Sequence, residues 1–326
     1  MEQKVLRTGT FVVVCAMILR LTGGVMGVSS VSLTPKIASF LIFMQTGRVI
    51  RPNNISFSPK PTEPPENTQP PSPVEPELPV FFGEEAAAIG ITSSFSYTAD
   101  LPSLLTKPLS WDLTGDVPKV LIVHSHGSES FAPTGDYQET TPDHTLNTEY
   151  NMVSVGTYVA EKLQAVGISV LHDTALHDEP SYNAAYANSR KSVQAYLQEY
   201  PSICLVLDLH RDSLEDEEGN QLVHTVFSQG TTVAPLMLVV GTDQGGLDHP
   251  QWQENLSLAL KLQTQLEDIC PGICRNINLR TQRFNQDLSA GAMLVEVGAS
   301  GNTRQEALRA ADVLVKAIIS LAHGSK

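Results

Sequence analysis

Short apolar runs recur along the chain from residue 120 onward, each broken by a polar or glycine-containing turn. Val120-Leu-Ile-Val123 is the first, and it breaks directly into His124-Ser-His-Gly-Ser-Glu-Ser130. A run this short and apolar throughout predicts a strand buried on both faces. Ile168–His172, Ile203–His210, Leu222–Phe227, Pro235–Val240, Arg275–Arg280 and Ala292–Val297 read as further strands. Helical spacing lies between them: Met152, Val155, Val159, Leu163 and Val166 are followed by Gly167, where a carboxyl-terminal cap belongs. Ser181–Glu199, closed by Pro201, reads as a second helix, and Trp252–Ile269, with Leu256, Leu260 and Leu266, as a third. Thr303-Arg-Gln-Glu306 opens a last helix as a capping box. Alternation of this kind predicts an α/β fold, a three-layer domain with a largely parallel central sheet.

The first third of the chain follows other rules. Lys4 and Arg7 precede an apolar stretch from Phe11 to about Leu33, interrupted at Arg20. With Arg20 tolerated the stretch is long enough to span a bilayer, and the basic start orients it with the amino terminus in the cytoplasm. Ile37–Met44 is a second apolar piece, suited to an interfacial helix. Gly27-Val-Ser-Ser30 offers the alternative of a cleaved signal peptide, but apolar character continues past that point and favours an uncleaved anchor. Ten prolines between Pro52 and Pro79 rule out helix and ladder, leaving an extended spacer. Val80–Val117 is poorly patterned, with Leu109 and Trp111 expected to lay its end against the domain. The expected organisation is therefore an anchor region over residues 1–50, a spacer and lead-in over 51–117, and a folded domain over 118–326. Everything after the anchor is expected outside the cytoplasm.

Charge and cysteines narrow the classes. A net charge of −14 disfavours nucleic acid and anionic lipid as partners. The acidic run Glu215-Asp-Glu-Glu218 reads as a solvated turn. Cys15 and Cys204 fall in apolar surroundings, whereas Cys270-Pro-Gly-Ile-Cys274 is spaced either for a small disulfide loop or for two free thiols. No paired Cys-x-x-Cys pattern for structural zinc is present.

The chemistry gathers at the strand ends, which in open α/β sheets point into the ligand crevice. Three strands deliver His126, Glu129, His210 and Glu296. Two histidines and one carboxylate suit a zinc ion with a fourth position left for water, and a free carboxylate then serves proton transfer. His-x-x-Glu alone is common. The second strand-end histidine adds weight, as does a glutamate inside Met-Leu-Val-Glu-Val, which is costly to bury unless it pairs or works. His210-Arg-Asp212 mimics a kinase triplet without the Gly-rich loop or lysine strand, and no Gly-x-Ser-x-Gly elbow exists. His124 reads as a supporting group or as core. His144, His172, His177, His224, His249 and His323 lack partners at ligand spacing and are expected to be structural or exposed.

Five motifs in order carry a resemblance: His124–Ser130, Ser181-Tyr-Asn-x-x-Tyr186, Asp208-Leu-His-Arg-Asp212, Asn285-Gln-Asp-Leu-Ser289, and Val295-Glu-Val-Gly298 followed by Asn302-Thr303. Together they resemble the stage II sporulation protein P family, whose catalytic domain is similar to the zinc-dependent N-acetylmuramoyl-L-alanine amidases. The resemblance runs from about Lys119 to the carboxyl terminus, and an anchor with a Pro-rich spacer fits the family's layout. It implies peptidoglycan as substrate, cleavage of the amide joining the glycan lactyl group to the stem peptide, and Zn2+ as cofactor. It also implies work at the engulfing septal membrane beside the stage II sporulation proteins D and M. Under this reading His126, Glu129 and His210 hold the metal. Glu296 takes the water proton and passes it to the leaving amine, and Arg211 meets a stem-peptide carboxylate or the developing oxyanion. In the wider amidase group the ligand glutamate stands near the start of the helix after the first strand, which here is Glu149. The compact His-x-x-Glu arrangement selects Glu129 and keeps Glu149 in reserve. A peptidase acting on cross-linked stems could use the same zinc chemistry. A wall-binding scaffold that has lost turnover could keep the fold, though intact ligands and Glu296 argue against it.

Overall fold

The computed structural model describes residues 79–109, 112–135, 137 and 143–322. The expected anchor, residues 51–78 of the spacer, Cys15, Trp111 and His323 lie outside the described residues. Among those described, no helix is long and apolar enough to cross a membrane.

Among the described residues nine strands form: β1 (Ile91–Ser93), β2 (Val120–Val123), β3 (Val170–His172), β4 (Leu205–Asp212), β5 (Val226–Ser228), β6 (Thr231–Val233), β7 (Leu236–Gly241), β8 (Ile277–Arg280) and β9 (Ala292–Ala299). Among the described residues five α-helices accompany them: α1 (Leu101–Thr106), α2 (Met152–Gln164), α3 (Ala185–Glu199), α4 (Trp252–Ile269) and α5 (Arg304–Ser320). Seven strands build one sheet in the order β1-β8-β7-β9-β4-β2-β3. Neighbours run parallel except β7 against β9. The sheet is largely parallel, as the alternation predicts. The reversal at β7 could not be read from its apolar run, because a doubly covered strand looks the same in either direction.

The strands are apolar on both sides because helices cover both sides. Val120, Ile122, Leu205, Leu207, Leu209, Met293 and Val295 pack with residues of α2, α4 and α5. Leu121, Val123 and Val206, one position out of phase, pack against Val193 of α3. Complete burial of each such side chain contributes about 1.5–3 kcal/mol. This gives the three layers.

Two local expectations change. Of Leu222–Phe227 only the end becomes a strand, pairing antiparallel with β6 in a hairpin apart from the main sheet. Leu222 and Val223 are exposed, and the Leu222 N–H goes to Leu214 O at 2.7 Å across the acidic turn rather than to a strand of the main sheet. The helix expected from Ser181 begins instead with a 3-10 turn, Tyr182–Ala184. The acidic run is a turn, with Gly219 N donating to Asp216 O at 3.1 Å. Cys270 and Cys274 are free thiols.

The domain boundary at 118 also needs correction. β1 joins the sheet edge in parallel with β8. Asp100 caps α1 by accepting from Ser103 N, and α1 buries Leu104 and Leu105. Buried Lys261 on α4 donates from Nζ to Leu104 O at 2.8 Å and to Ser257 Oγ at 2.9 Å. Leu109 packs against the core as expected. The described lead-in, from residue 79 onward, is thus part of the folded unit. Its pieces are too short for a periodic pattern to show.

Candidate metal and catalytic site

Connection order creates the crevice. From β2 the chain passes through α2 to β3 on one side, then crosses through α3 to β4 on the other. Because α2 and α3 lie on opposite faces, the sheet opens between the carboxyl ends of β2 and β4. The turn after β2 enters this opening. Glu129 N donates to His126 O at 3.4 Å, and Ser128 anchors the turn by donating N–H and Oγ–H to Asp178 Oδ2 at 3.1 and 2.6 Å. His126 and Glu129 thereby emerge together.

The structure brings His126, Glu129 and His210 into one cluster whose ligand atoms all lie within 4.8 Å of one another. His126 Nδ1 is 3.4 Å from Glu129 Oε1, and His210 Nδ1 is 3.5 Å from Glu129 Oε2. Their side chains are only 12, 7 and 4% exposed, so water screens them little. The far ring nitrogen of His210, Nε2, lies 2.9 Å from Asp208 Oδ1. Asp208 is held in turn by Ser125, which donates from N at 2.8 Å and from Oγ at 2.6 Å. A carboxylate behind the ring, with Nδ1 facing inward, is the usual support of a metal-bound histidine.

Charge balance points the same way. Burial alone would raise the Glu129 carboxyl, but hydrogen bonds to His126 and His210 outweigh it and hold the group below the usual carboxylate range. Burial would lower His210, yet Asp208 and Glu129 raise it well above its ordinary value. Two carboxylates thus compete for one imidazole, an excess of buried negative charge that a cation at the Nδ1 side relieves. Two imidazole nitrogens and a carboxylate oxygen match the donor set of catalytic zinc. The residues fit the ion.

A bulge completes the geometry. Opposite Arg211 the register between β4 and β9 shifts, and β9 carries the extra residue at Val297–Gly298. Gly298 has φ +75, a left-handed backbone that favours glycine. The Arg211 N–H donates to Glu129 Oε2 at 3.1 Å. One residue earlier, His210 and Glu296 are direct partners in the ladder. Glu296 Oε2 is buried with no hydrogen-bond partner among the described residues. Burial, reinforced by the Glu129 charge against the pull of His210, pushes this carboxyl up to about 8.

Two expected roles do not match the geometry. Arg211 donates from Nε to Ser130 O at 2.9 Å and from Nη2 to Asp143 O at 2.5 Å, with Asp143 Oδ2 at 3.3 Å. Its side chain is 3% exposed. It clamps the loop that carries Ser130 and Asp143, which corrects the expectation of a substrate contact. Glu149 is exposed on the approach to α2, with its N–H on Asn147 Oδ1 at 3.0 Å, and stays outside the cluster. The reserve ligand is therefore set aside.

Other histidines sort themselves. His124 is core: its Nδ1 is 3.0 Å from Leu209 O and its Nε2 is 2.9 Å from His172 Nε2. His177 lies 2.9 Å from Asp173 Oδ2, and His249 is 3.0 Å from Asn255 Oδ1. His144, expected to be structural or exposed, instead stands opposite Glu129 in an isolated bridge, with its ring 6.0 Å from that of Tyr182. No local spacing could reveal it. Tyr182 and Tyr186 were also missed as site residues, although their four-residue spacing at a helix start was a legible signal. Tyr182 lies 4.1 Å from the His126 ring, and Tyr186 lies 5.3 Å from His126 and 6.2 Å from His210.

Comparison with known proteins adds three findings. Residues 56–319 match the sequence model of the family described as stage II sporulation protein P. The chain is 28% identical over 210 residues to stage II sporulation protein P of Bacillus subtilis (strain 168), covering 61% of this chain and 50% of that protein. It thus spans about half the length of this curated relative. Among solved structures it is similar to the N-acetylmuramoyl-L-alanine amidase AmiC2 of Nostoc punctiforme, at TM-score 0.38 and 15% identity over 63% of this chain and 97% of that one. It is also similar to the CwlD amidase from Clostridioides difficile, solved in complex with the GerS lipoprotein, at TM-score 0.39 and 13% identity over 63% and 95%. Likeness of that size leaves the chemistry to be argued from the residues themselves.

Proposed function

The chain belongs to the stage II sporulation protein P family, and from that premise and the site geometry we propose that it is a zinc-dependent N-acetylmuramoyl-L-alanine amidase. Its substrate is peptidoglycan, and the bond cut is the amide between N-acetylmuramic acid and the L-alanine of the stem peptide. One observation carries the reading: a buried, unpartnered carboxylate oxygen on Glu296, fixed in register beside a donor set of two histidines and a glutamate.

His126, Glu129 and His210 would hold the ion. When bound, zinc supplies Lewis acidity and lowers the pKa of water. Glu296 takes the proton from the attacking water and delivers it to the amine nitrogen as the C–N bond breaks. Burial stabilises the neutral form of this carboxyl, the form that returns the proton. Asp208 keeps the His210 ring aligned, and Arg211 keeps the turn carrying Glu129 against β4.

The basic start, apolar stretch and proline run of residues 1–79 support a single-pass anchor in the cell membrane, with the domain held outside the cytoplasm. The place of action is then the sporulation septum, in septal wall degradation and engulfment, beside the stage II sporulation proteins D and M.

Mass analysis of fragments released from purified sacculi tests the reaction. Free stem peptides are expected. Split cross-links would mark an endopeptidase instead, and binding without release would mark a wall-binding scaffold. Chelation should stop release and added zinc restore it; release that survives complete metal removal overturns the metal reading.

A further inference from the structure

Tyr186 has no role in the chemistry described so far, yet it is among the most firmly braced groups at the site. Its ring lies nearly parallel to His210, at 12°, and edge-on to His126, at 66°. Phe284 backs it at 5.5 Å between ring centres. Its carbonyl accepts from Asn285 Nδ2 at 2.9 Å. Phe284 and Asn285 both have left-handed backbones, at φ +49 and +57. Asp287, two residues on, anchors this loop to α3 through two hydrogen bonds from Arg190, at 2.8 and 2.7 Å. Backbone strain of this kind persists where the surroundings fix a geometry that function needs.

The braced ring ends in a hydroxyl with no hydrogen-bond partner among the described residues. The ring stands beside both histidines of the cluster, and its hydroxyl is no buried orphan: solvent reaches it, so it is a donor that an incoming acceptor can take over. The donor expected from sequence, Arg211, is tied to Ser130 and Asp143.

We propose that the Tyr186 hydroxyl donates a hydrogen bond to the carbonyl oxygen of the scissile amide and to the oxyanion that this oxygen becomes. The proposal rests on the hydrolase reading above. As water adds to the carbonyl carbon, the π pair moves onto oxygen. When the C–N bond breaks, the carbonyl re-forms and the amine leaves with the proton that Glu296 returns. The phenol keeps its own proton throughout, so no further reactant enters.

The test is Tyr186→Phe in the full chain, which removes one oxygen and keeps the ring. We expect kcat on sacculi to fall about 100-fold, in line with loss of one oxyanion donor, with KM within about 3-fold, and zinc content and melting temperature unchanged. Affinity for a phosphinate analogue of muramyl-L-alanine, measured calorimetrically, should fall about 10-fold or more. Tyr158→Phe on α2, whose hydroxyl faces Asp312 at 3.4 Å, makes the same chemical change elsewhere and should match the unaltered protein. Unchanged kcat and phosphinate affinity in Tyr186→Phe overturn the proposal. Loss of zinc or of melting temperature overturns it too, because the hydroxyl would then be structural. If the unaltered chain releases no stem peptides, the hydrolase reading fails first and takes the proposal with it.

Discussion

His210 and Glu296 stand directly opposite each other in the parallel ladder between β4 and β9. The ring proposed to hold the ion and the carboxylate proposed to move the proton are thus fixed by backbone pairing in the middle of the sheet. The third partner, Glu129, comes from a turn, but the bulge at Val297–Gly298 accompanies an Arg211 N–H that reaches it. Sites built on regular elements hold their geometry more tightly than sites on loops. Here two strands set the positions and one clamp brings the loop to them.

Asp208→Asn should weaken zinc binding about 10- to 100-fold without unfolding the domain. The side chain keeps its shape, but the charge behind His210 Nε2 is lost, and with it the preference for presenting Nδ1 inward. Competition against a chromophoric chelator measures this. Unchanged affinity would confine Asp208 to its hydrogen bonds with Ser125.

Removing residues 1–78 should leave cooperative melting unchanged, because β1 and its ladder to β8 survive. Removing residues 1–117 should be different. It exposes the surface under Leu104 and Leu105 and deprives the Lys261 ammonium of the Leu104 carbonyl. Burial already holds that ammonium down to about 8. The combined loss is about 4–6 kcal/mol, enough to lower the melting temperature sharply or abolish the transition. Equal melting of the two truncations would return the boundary to residue 118.

The share of stability that rests on the His124–His172 pair should fall as pH drops from 7 to 5, while the raised Glu296 carboxyl contributes with the opposite sign over the same range. Burial, with the neighbouring His172 adding, holds His124 down to about 3, and burial holds His172 down to about 4. Asp208 and Asp173 pull the other way without prevailing. A methyl group at Gly156 would fall 2.3 Å from His124 Nε2, so α2 sits too close for water to shield a charge there. In the unfolded chain both histidines titrate near 6.5. Between those values the unfolded state binds protons that the fold refuses, so this contribution is complete above about 6.5 and is lost as pH falls. The loss at pH 5 is about 2 kcal/mol per histidine. Urea midpoints measured with chelator present, so that metal release plays no part, should show it. The difference in midpoint between the unaltered protein and His172→Gln should shrink as pH falls from 7 to 5, and a difference that does not change with pH would contradict the pairing.

The apolar runs announced the strands of the central sheet beyond the lead-in, and the histidines and glutamates at their ends announced the site, because burial on both faces and a polar break are local properties. The lead-in stayed illegible for the opposite reason. A three-residue strand and a six-residue helix are shorter than the periods that would reveal them. Arg211 was misread because adjacency to His210 in sequence implied adjacency in function, whereas successive strand residues point to opposite faces. His144 was missed because a bridge, and no spacing, sets it beside Glu129.

The two glutamates of the site should separate metal binding from proton transfer. Glu129→Gln replaces a charged ligand between two imidazoles with a neutral amide, a poor donor to zinc, and should lose the metal. Glu296→Gln should retain it, because that side chain is no part of the cluster of His126, Glu129 and His210. Activity should disappear in both, falling by about two orders of magnitude or more in Glu296→Gln if the carboxylate moves the proton. Elemental analysis for zinc reads the roles without reference to turnover. A full zinc equivalent in Glu129→Gln would remove that residue from the ligand set, and zinc loss in Glu296→Gln would mean the two roles are exchanged or shared. Buried carboxylates also fail by misfolding, so a melting curve accompanies each zinc value. Glu296→Gln even has a stabilising component: a carboxyl raised to about 8 by burial is disfavoured as the charged form, and a neutral amide avoids that penalty. A folded, zinc-loaded and inactive Glu296→Gln that melts no lower than the unaltered domain is the expected result.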